Sequence, residues 1–183
     1  MEIIDTKIKD VKLIKPKIYG DSRGFFLETY HKDQYKKAGI SNHFVQDNHS
    51  RSKKNILRGL HYQLDKMQGK LVRVSNGRVY DVAVDMREGS STFKEYVSFI
   101  LSDENQYQLY IPPGFAHGFC VISDEADFEY KCTDYYDPLD EHCLFWDDKN
   151  INIDLPFKKE DIIVSEKDSK GLLLNELISQ GIV

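Results

Sequence analysis

The chain has few cysteines, no long apolar run and no block of like charge, and each shortage removes a class of function. Its three cysteines, Cys120, Cys132 and Cys143, are odd in number and lack the paired short spacing of zinc ribbons and redox motifs. They read as free thiols of a reducing compartment. Nowhere do eighteen apolar residues run together, and the first thirty residues hold no apolar core of signal-peptide length. Neither a membrane span nor a secretory leader is expected, and a cytoplasmic location is. The 25 basic and 30 acidic residues are interspersed to a net charge of −5. Without a basic run, nucleic acid and membrane surfaces are not expected partners, although a few local Arg and Lys could hold one small phosphate group. No Gly-rich dinucleotide motif is present. Nor is there a linker, an internal repeat or a low-complexity stretch, so residues 1–183 are expected to form one domain.

What the chain has instead is aromatic residues, 11 Tyr and 10 Phe, and a middle made of short alternating segments separated by turn residues. That pattern marks an all-β sandwich or barrel. In Arg78 to Asp85, Tyr80, Val82 and Val84 fall on one face while Val79, Asp81 and Ala83 fall on the other. Asn76-Gly77 supplies the positive-φ positions of a tight turn, so Lys70–Val74 and Arg78–Asp85 are expected to pair as a hairpin. Further strands are expected near Gly24–Tyr30, Phe44–Ser50, Leu57–Gln63, Tyr96–Leu101, Tyr107–Ile111, Gly118–Ile122 and Ala126–Thr133. Helix is limited to Lys32–Ala38 and a terminal stretch at Leu172–Ile178. About nine strands must then bury their apolar faces as a jelly roll or barrel, a shape that holds ligands in its mouth or interior.

Ionisable residues at inward strand positions are the ones with chemical meaning. His61 is in phase with Gly59 and Gln63, opposite Leu60 and Tyr62. An imidazole facing a barrel interior is a candidate general base, because its ordinary pKa lies near neutrality. Lys70 opens the next strand, where a buried ammonium is costly unless it meets an anion, such as a developing oxyanion. The segment Ile111 to Phe119, IPPGFAHGF, has the Pro-Gly and following histidine of the second cupin motif. The first cupin motif is missing around His61, and with only His61 and His117 on strands a closed metal site lacks its ligand count. In FEYKCTDYY, Tyr130 is in phase with Phe128 and Cys132, and Tyr136 follows. A phenol there either packs with its hydroxyl satisfied, donates a proton, or stacks on a base. Ser165-Glu166-Lys167-Asp168 fits a helix-start box.

Taken in order, DSRGFFLE (Asp21 to Glu28), QDNHS (Gln46 to Ser50), LRGLHYQ, KLVRV, GRVYDVAVDMR, IPPGFAHGF, EYKCTDYY and SEKD resemble the dTDP-4-dehydrorhamnose 3,5-epimerase family from about Lys12 to Gly171. The resemblance implies a mainly β, single-domain, cupin-like jelly-roll barrel with a few short helices, and no cofactor or metal. It implies catalytic roles for four residues: His61 as base, Asp168 as its carboxylate partner, Lys70 facing the enolate oxygen and Tyr130 as the acid on the opposite face. It places Arg23, Glu28, Gln46, Asp47, Asn48, Arg58, Lys70, His117, Glu141 and Lys167 around a dTDP-linked 4-keto-6-deoxy sugar, with Tyr136 stacked on the thymine. It also implies a homodimer paired through N-terminal strands. Three other functions compete: an epimerase acting at carbon 3 or carbon 5 alone, a metal-dependent cupin enzyme, and a nucleotide-sugar-binding barrel without catalysis.

Overall fold

The computed structural model describes residues 1–183. The chain opens with four short strands, β1 (Glu2–Asp5), β2 (Lys12–Lys15), β3 (Ile18–Asp21) and β4 (Gly24–Leu27), followed by helix α1 (Lys32–Lys37). The middle is a run of longer strands: β5 (Gln46–Lys53), β6 (Leu57–Gln63), β7 (Lys70–Asn76), β8 (Arg78–Asp85), β9 (Tyr96–Ser102), β10 (Gln108–Ile111), β11 (Phe115–Val121) and β12 (Glu125–Cys132). A short β13 (Glu141–Cys143) and two small helices, α2 (Glu166–Ser169) and α3 (Leu174–Ser179), complete it. Strands β1, β2, β3 and β13 were not expected; each has only three or four residues, too few for alternation to register.

Two sheets face each other. One is six-stranded, in the order β1-β2-β10-β7-β12-β5, and the other five-stranded, in the order β13-β6-β11-β8-β9. They remain separate and do not close into a continuous barrel, so the jelly roll is a double-sheet one. Between them lies a core drawn from both: Val72, Val74 and Phe128 from the first sheet, Val79, Ala83, Phe115 and Phe119 from the second. The Phe119 and Phe128 rings stack across it with centroids 4.0 Å apart. Each such buried ring contributes about 2–3 kcal/mol of transfer free energy. The outer face of the five-stranded sheet, carrying Leu60, Tyr62, Val82 and Val84, is covered by Leu174 and Leu177 of α3. The outer face of the other, at Leu71 and Tyr110, is partly covered by Tyr35 of α1.

The expected hairpin does not form. β7 pairs with β10 and β12, whereas β8 pairs with β9 and β11, so the turn at Gly77 carries the chain from one sheet to the other. Alternation in a strand is the same whichever strand lies beside it, and the Asn-Gly turn serves a crossover as well as a hairpin. The positive φ of Gly77, +77°, is used as expected, and its α-carbon lies so close to β12 that a Cβ would stand 2.1 Å from the Glu125 carbonyl oxygen. β3 and β4 form an isolated two-stranded ribbon with Tyr19, Phe25 and Phe26 exposed.

Candidate active site

The strand registers decide which polar side chains meet. In β11 and β6, His117 lies directly opposite His61, and in β13 and β6 Cys143 lies opposite His61 on the other side. β6 can approach β11 closely because residue 59 is glycine: a Cβ there would sit 2.6 Å from the Gly118 α-carbon. From the facing sheet, Lys70 is opposite Cys132, and Tyr130 is opposite Asn48 on β5. The two sets open onto a cavity of about 630 Å³ lined by His61, His117, Arg58 and Asp168 on one side and by Lys70, Tyr130, Gln46 and Asn48 on the other. Phe119 and Phe128 form apolar parts of its wall. The size suits a ligand larger than a single sugar.

Asp168 reaches this cavity from the first turn of α2. Ser165 caps that helix, its hydroxyl accepting from the Asp168 amide at 3.0 Å, so the helix-start box is real and also aims the carboxylate. His61 Nε2 lies 2.6 Å from Asp168 Oδ1. An ionised carboxylate can only accept, so Nε2 carries a hydrogen there, and whenever the ring is neutral the lone pair lies on Nδ1. Burial pushes the Asp168 carboxyl up, but the hydrogen bond and charge of His61, with the Ser165 hydroxyl and the Gly59 amide, outweigh it and hold the group below the ordinary carboxylate value. Glu141 Oε1 stands 3.7 Å from His61 Nδ1.

Lys70 is buried, with Nζ at the long distance of 3.4 Å from the His61 carbonyl oxygen. Desolvation lowers its pKa, partly opposed by Cys132 and by the charge of Asp81. Such an ammonium is short of partners and suited to a ligand oxyanion. Tyr130 packs against Phe128, and burial raises its pKa, so the phenol keeps its proton at neutral pH. At the mouth, Tyr136 donates from its hydroxyl to Glu141 at 2.9 Å and from its amide to Gln46 at 2.9 Å, and Lys167 pairs with Glu141. Arg58 donates to the Ser52 hydroxyl at 2.9 Å.

Three residues expected at the site stand elsewhere in the single chain. Asp47 points to the outer face of β5 and pairs with Lys131 at 2.9 Å, beside a second, open concavity of about 380 Å³. Arg23 sits at the tip of the β3–β4 ribbon, paired with Asp21, and Glu28 follows that ribbon and accepts from Gln34. None of the three lines the main cavity. Conversely, two groups were not anticipated. Asp81 holds His117 Nε2 at 2.9 Å in a fully buried pair and leaves its other oxygen, Oδ1, without a partner. Its place on the Val79–Ala83 face of β8 was legible, but not the histidine on the adjoining strand β11. Cys143 joins His61 and Asp168 in a group whose donor atoms lie within 4.8 Å of one another.

A sequence profile of the dTDP-4-dehydrorhamnose 3,5-epimerase family matches residues 5–176. The chain is 51% identical over 173 residues to the dTDP-4-dehydrorhamnose 3,5-epimerase of Shigella flexneri, covering 93% of this chain and 94% of that one. It is 54% identical over 171 residues to the enzyme of that name from Neisseria gonorrhoeae, but spans only 52% of that protein's length. A crystal structure of dTDP-6-deoxy-D-glucose-3,5-epimerase from Legionella pneumophila Philadelphia 1, in complex with dTDP-4-keto-L-rhamnose, superimposes with a TM-score of 0.95 at 52% identity, covering 100% of this chain and 96% of that one. The chain belongs to the dTDP-4-dehydrorhamnose 3,5-epimerase family and is a nucleotide-sugar epimerase.

Proposed function

We propose that the chain inverts carbons 3 and 5 of a dTDP-linked 4-keto-6-deoxy-hexose without a cofactor, the four residues His61, Asp168, Lys70 and Tyr130 performing the chemistry. The observation that carries this reading is their distribution. The base and its carboxylate partner stand on the five-stranded side of the cavity, and a protonated phenol stands on the six-stranded side.

The protons on carbons 3 and 5 flank the carbon 4 carbonyl. His61 Nδ1 takes one of them, and the electron pair of the broken C–H bond moves to the carbonyl oxygen as an enolate. Asp168 stabilises the imidazolium and holds the ring, as a carboxylate does in a triad. Lys70 faces the enolate oxygen, where a desolvated cation lowers the barrier most. The carbon–carbon double bond then takes the Tyr130 proton on its other face, which inverts the centre; solvent restores the proton to Tyr130 and removes one from His61. No electron leaves the substrate, so the reaction requires neither nicotinamide nor metal.

Arg58 and Lys167 supply cationic groups for the diphosphate, His117 forms part of the wall against the sugar, and Tyr136, 48% exposed at the mouth, offers its ring to the thymine. Arg23, Glu28 and Asp47 fit this scheme through a homodimer. The β3–β4 ribbon has no neighbour in its own chain and exposes Phe25 by 62% and Phe26 by 65%. An edge of that kind is covered when a second copy pairs with it and brings Arg23 toward the neighbour's site. Light scattering at micromolar concentration should give a dimer; a clean monomer of 21.3 kDa refutes this part. A cytoplasmic location and the lack of nucleic-acid or membrane partners belong to the same reading, supported by three free thiols and interspersed charge.

Proton NMR of dTDP-4-keto-6-deoxy-glucose with the protein in heavy water tests the whole. Exchange at carbons 3 and 5 with inversion at both is expected; exchange and inversion at one carbon only would assign a single-centre epimerase.

A further inference from the structure

Cys143 has no part in the epimerisation, yet its sulfur lies with the nitrogen of His61 and the carboxylate of Asp168 inside a 4.8 Å group. The pairing of β13 with β6 places Cys143 directly across from His61, and the N-terminal turn of α2 delivers Asp168 to the same point. The sulfur's own contact is weak, a 3.7 Å approach to the Leu144 carbonyl. A tetrahedral zinc ion with legs of about 2.0–2.3 Å needs its donors roughly 3.3–3.8 Å apart. The His61–Asp168 distance of 2.6 Å must therefore open by about 0.7–1.2 Å, while the sulfur, within 4.8 Å of both partners, needs to close by at most about 1.5 Å.

We propose that His61, Cys143 and Asp168 form an inhibitory site for a thiophilic divalent cation such as Zn²⁺, which switches the epimerase off by capturing the nitrogen that Asp168 normally holds. The donor set of one imidazole, one thiolate and one carboxylate is that of zinc and not of Mg²⁺ or Ca²⁺. Two anionic donors neutralise the ion inside a half-buried site, and water from the cavity supplies the fourth ligand. In the free protein burial, with the charge of Asp168, pushes the Cys143 thiol up to about 12, so it is protonated; a bound divalent ion reverses that order and displaces the proton to solvent.

The consequence follows from proton accounting. Zinc takes the Nε2 lone pair, so the neutral ring must carry its hydrogen on Nδ1. A ring protonated at Nδ1 cannot accept the sugar proton. The nucleotide-binding groups at the mouth are untouched, so inhibition lowers kcat and leaves dTDP affinity alone. This last step rests on the epimerase reading above; the metal site itself does not.

Titration of the whole protein with Co²⁺ as the spectroscopic probe tests the site without reference to activity. One equivalent should produce intense tetrahedral visible bands and a thiolate-to-cobalt charge-transfer band, all lost in Cys143→Ala and weakened in Cys143→Ser, which keeps a smaller oxygen donor if the alanine variant folds poorly. In turnover assays, micromolar Zn²⁺ should suppress the wild type at least tenfold with dTDP Kd unchanged, and chelation should restore it. Cys143→Ala should turn over within about twofold of the parent and need at least tenfold more Zn²⁺ for the same loss. A charge-transfer band that persists without Cys143, the absence of any such band, or equal zinc sensitivity of parent and variant overturns the proposal. If instead the parent binds cobalt through Cys143 but exchanges no sugar proton, the epimerase reading fails and the metal site stands.

Discussion

Two histidine–aspartate pairs face the same cavity, and they differ in depth. In His61–Asp168 the imidazole is 26% exposed and its second nitrogen is open to the cavity; in His117–Asp81 the imidazole is 6% and the carboxylate 0% exposed. The first pair has a carboxylate satisfied by a helix cap, a backbone amide and the ring. The second has an oxygen with no partner at all. Burial lowers the His117 pKa below its ordinary value despite the attraction of Asp81 and the hydrogen bond to it, and nearby Lys70 adds to the lowering. The same two side-chain types thus make a proton shuttle where the ring is open to solvent, and a fixed, buried wall group of the cavity where it is not.

Removing each histidine gives the widest contrast. His61→Asn should lower turnover by about 10²–10⁴-fold or more and abolish solvent exchange at both carbons, since no enolate forms. His117→Asn should keep exchange and raise KM more than it lowers kcat. Equal loss of exchange in the two variants would erase the distinction between the pairs.

Tyr130→Phe sharpens the assignment of faces. Abstraction and return by His61 remain available, so exchange should persist while inversion falls by about 10²–10⁴-fold. Inversion at the parental rate would return Tyr130 to a packing role.

The carboxylates should differ in kind. Asp168→Asn is expected to cost about 10²–10⁴-fold in turnover, because the ring loses the acceptor that fixes its tautomer. Asp81→Asn should act chiefly on stability, by about 1–3 kcal/mol in urea unfolding, because it disturbs a buried hydrogen bond. A stability-neutral Asp81→Asn with turnover as low as Asp168→Asn would show two catalytic dyads.

The smallest effect is on pH dependence. Below the ordinary histidine value of 6.5 the unfolded chain binds a proton at residue 117 that the folded chain binds less readily, so stability should fall as pH falls from about 6.5. Asp168, whose folded pKa is depressed, contributes stability above its ordinary 3.8 that is lost as pH falls through the lower folded value. Urea midpoints measured from pH 7.5 to 5 should show the first slope in the parent and a flatter one in His117→Gln.

Local sequence was enough for the β character of the middle, because period-two alternation at Leu57–Gln63 reflects burial on both sides of one strand: Leu60 and Tyr62 beneath α3, His61 toward the cavity. It was also enough for the helix cap at Ser165 and, through the resemblance of several ordered motifs, for the residues that converge on the cavity. Alternation says which face a side chain takes and nothing about which strand lies beside it. Only the tertiary structure, therefore, sent β7 and β8 to opposite sheets, set His61 between His117 and Cys143, and left the Arg23 ribbon without a partner in its own chain. Pairing register is a long-range choice among strands far apart in sequence, fixed by how the faces of two whole sheets pack.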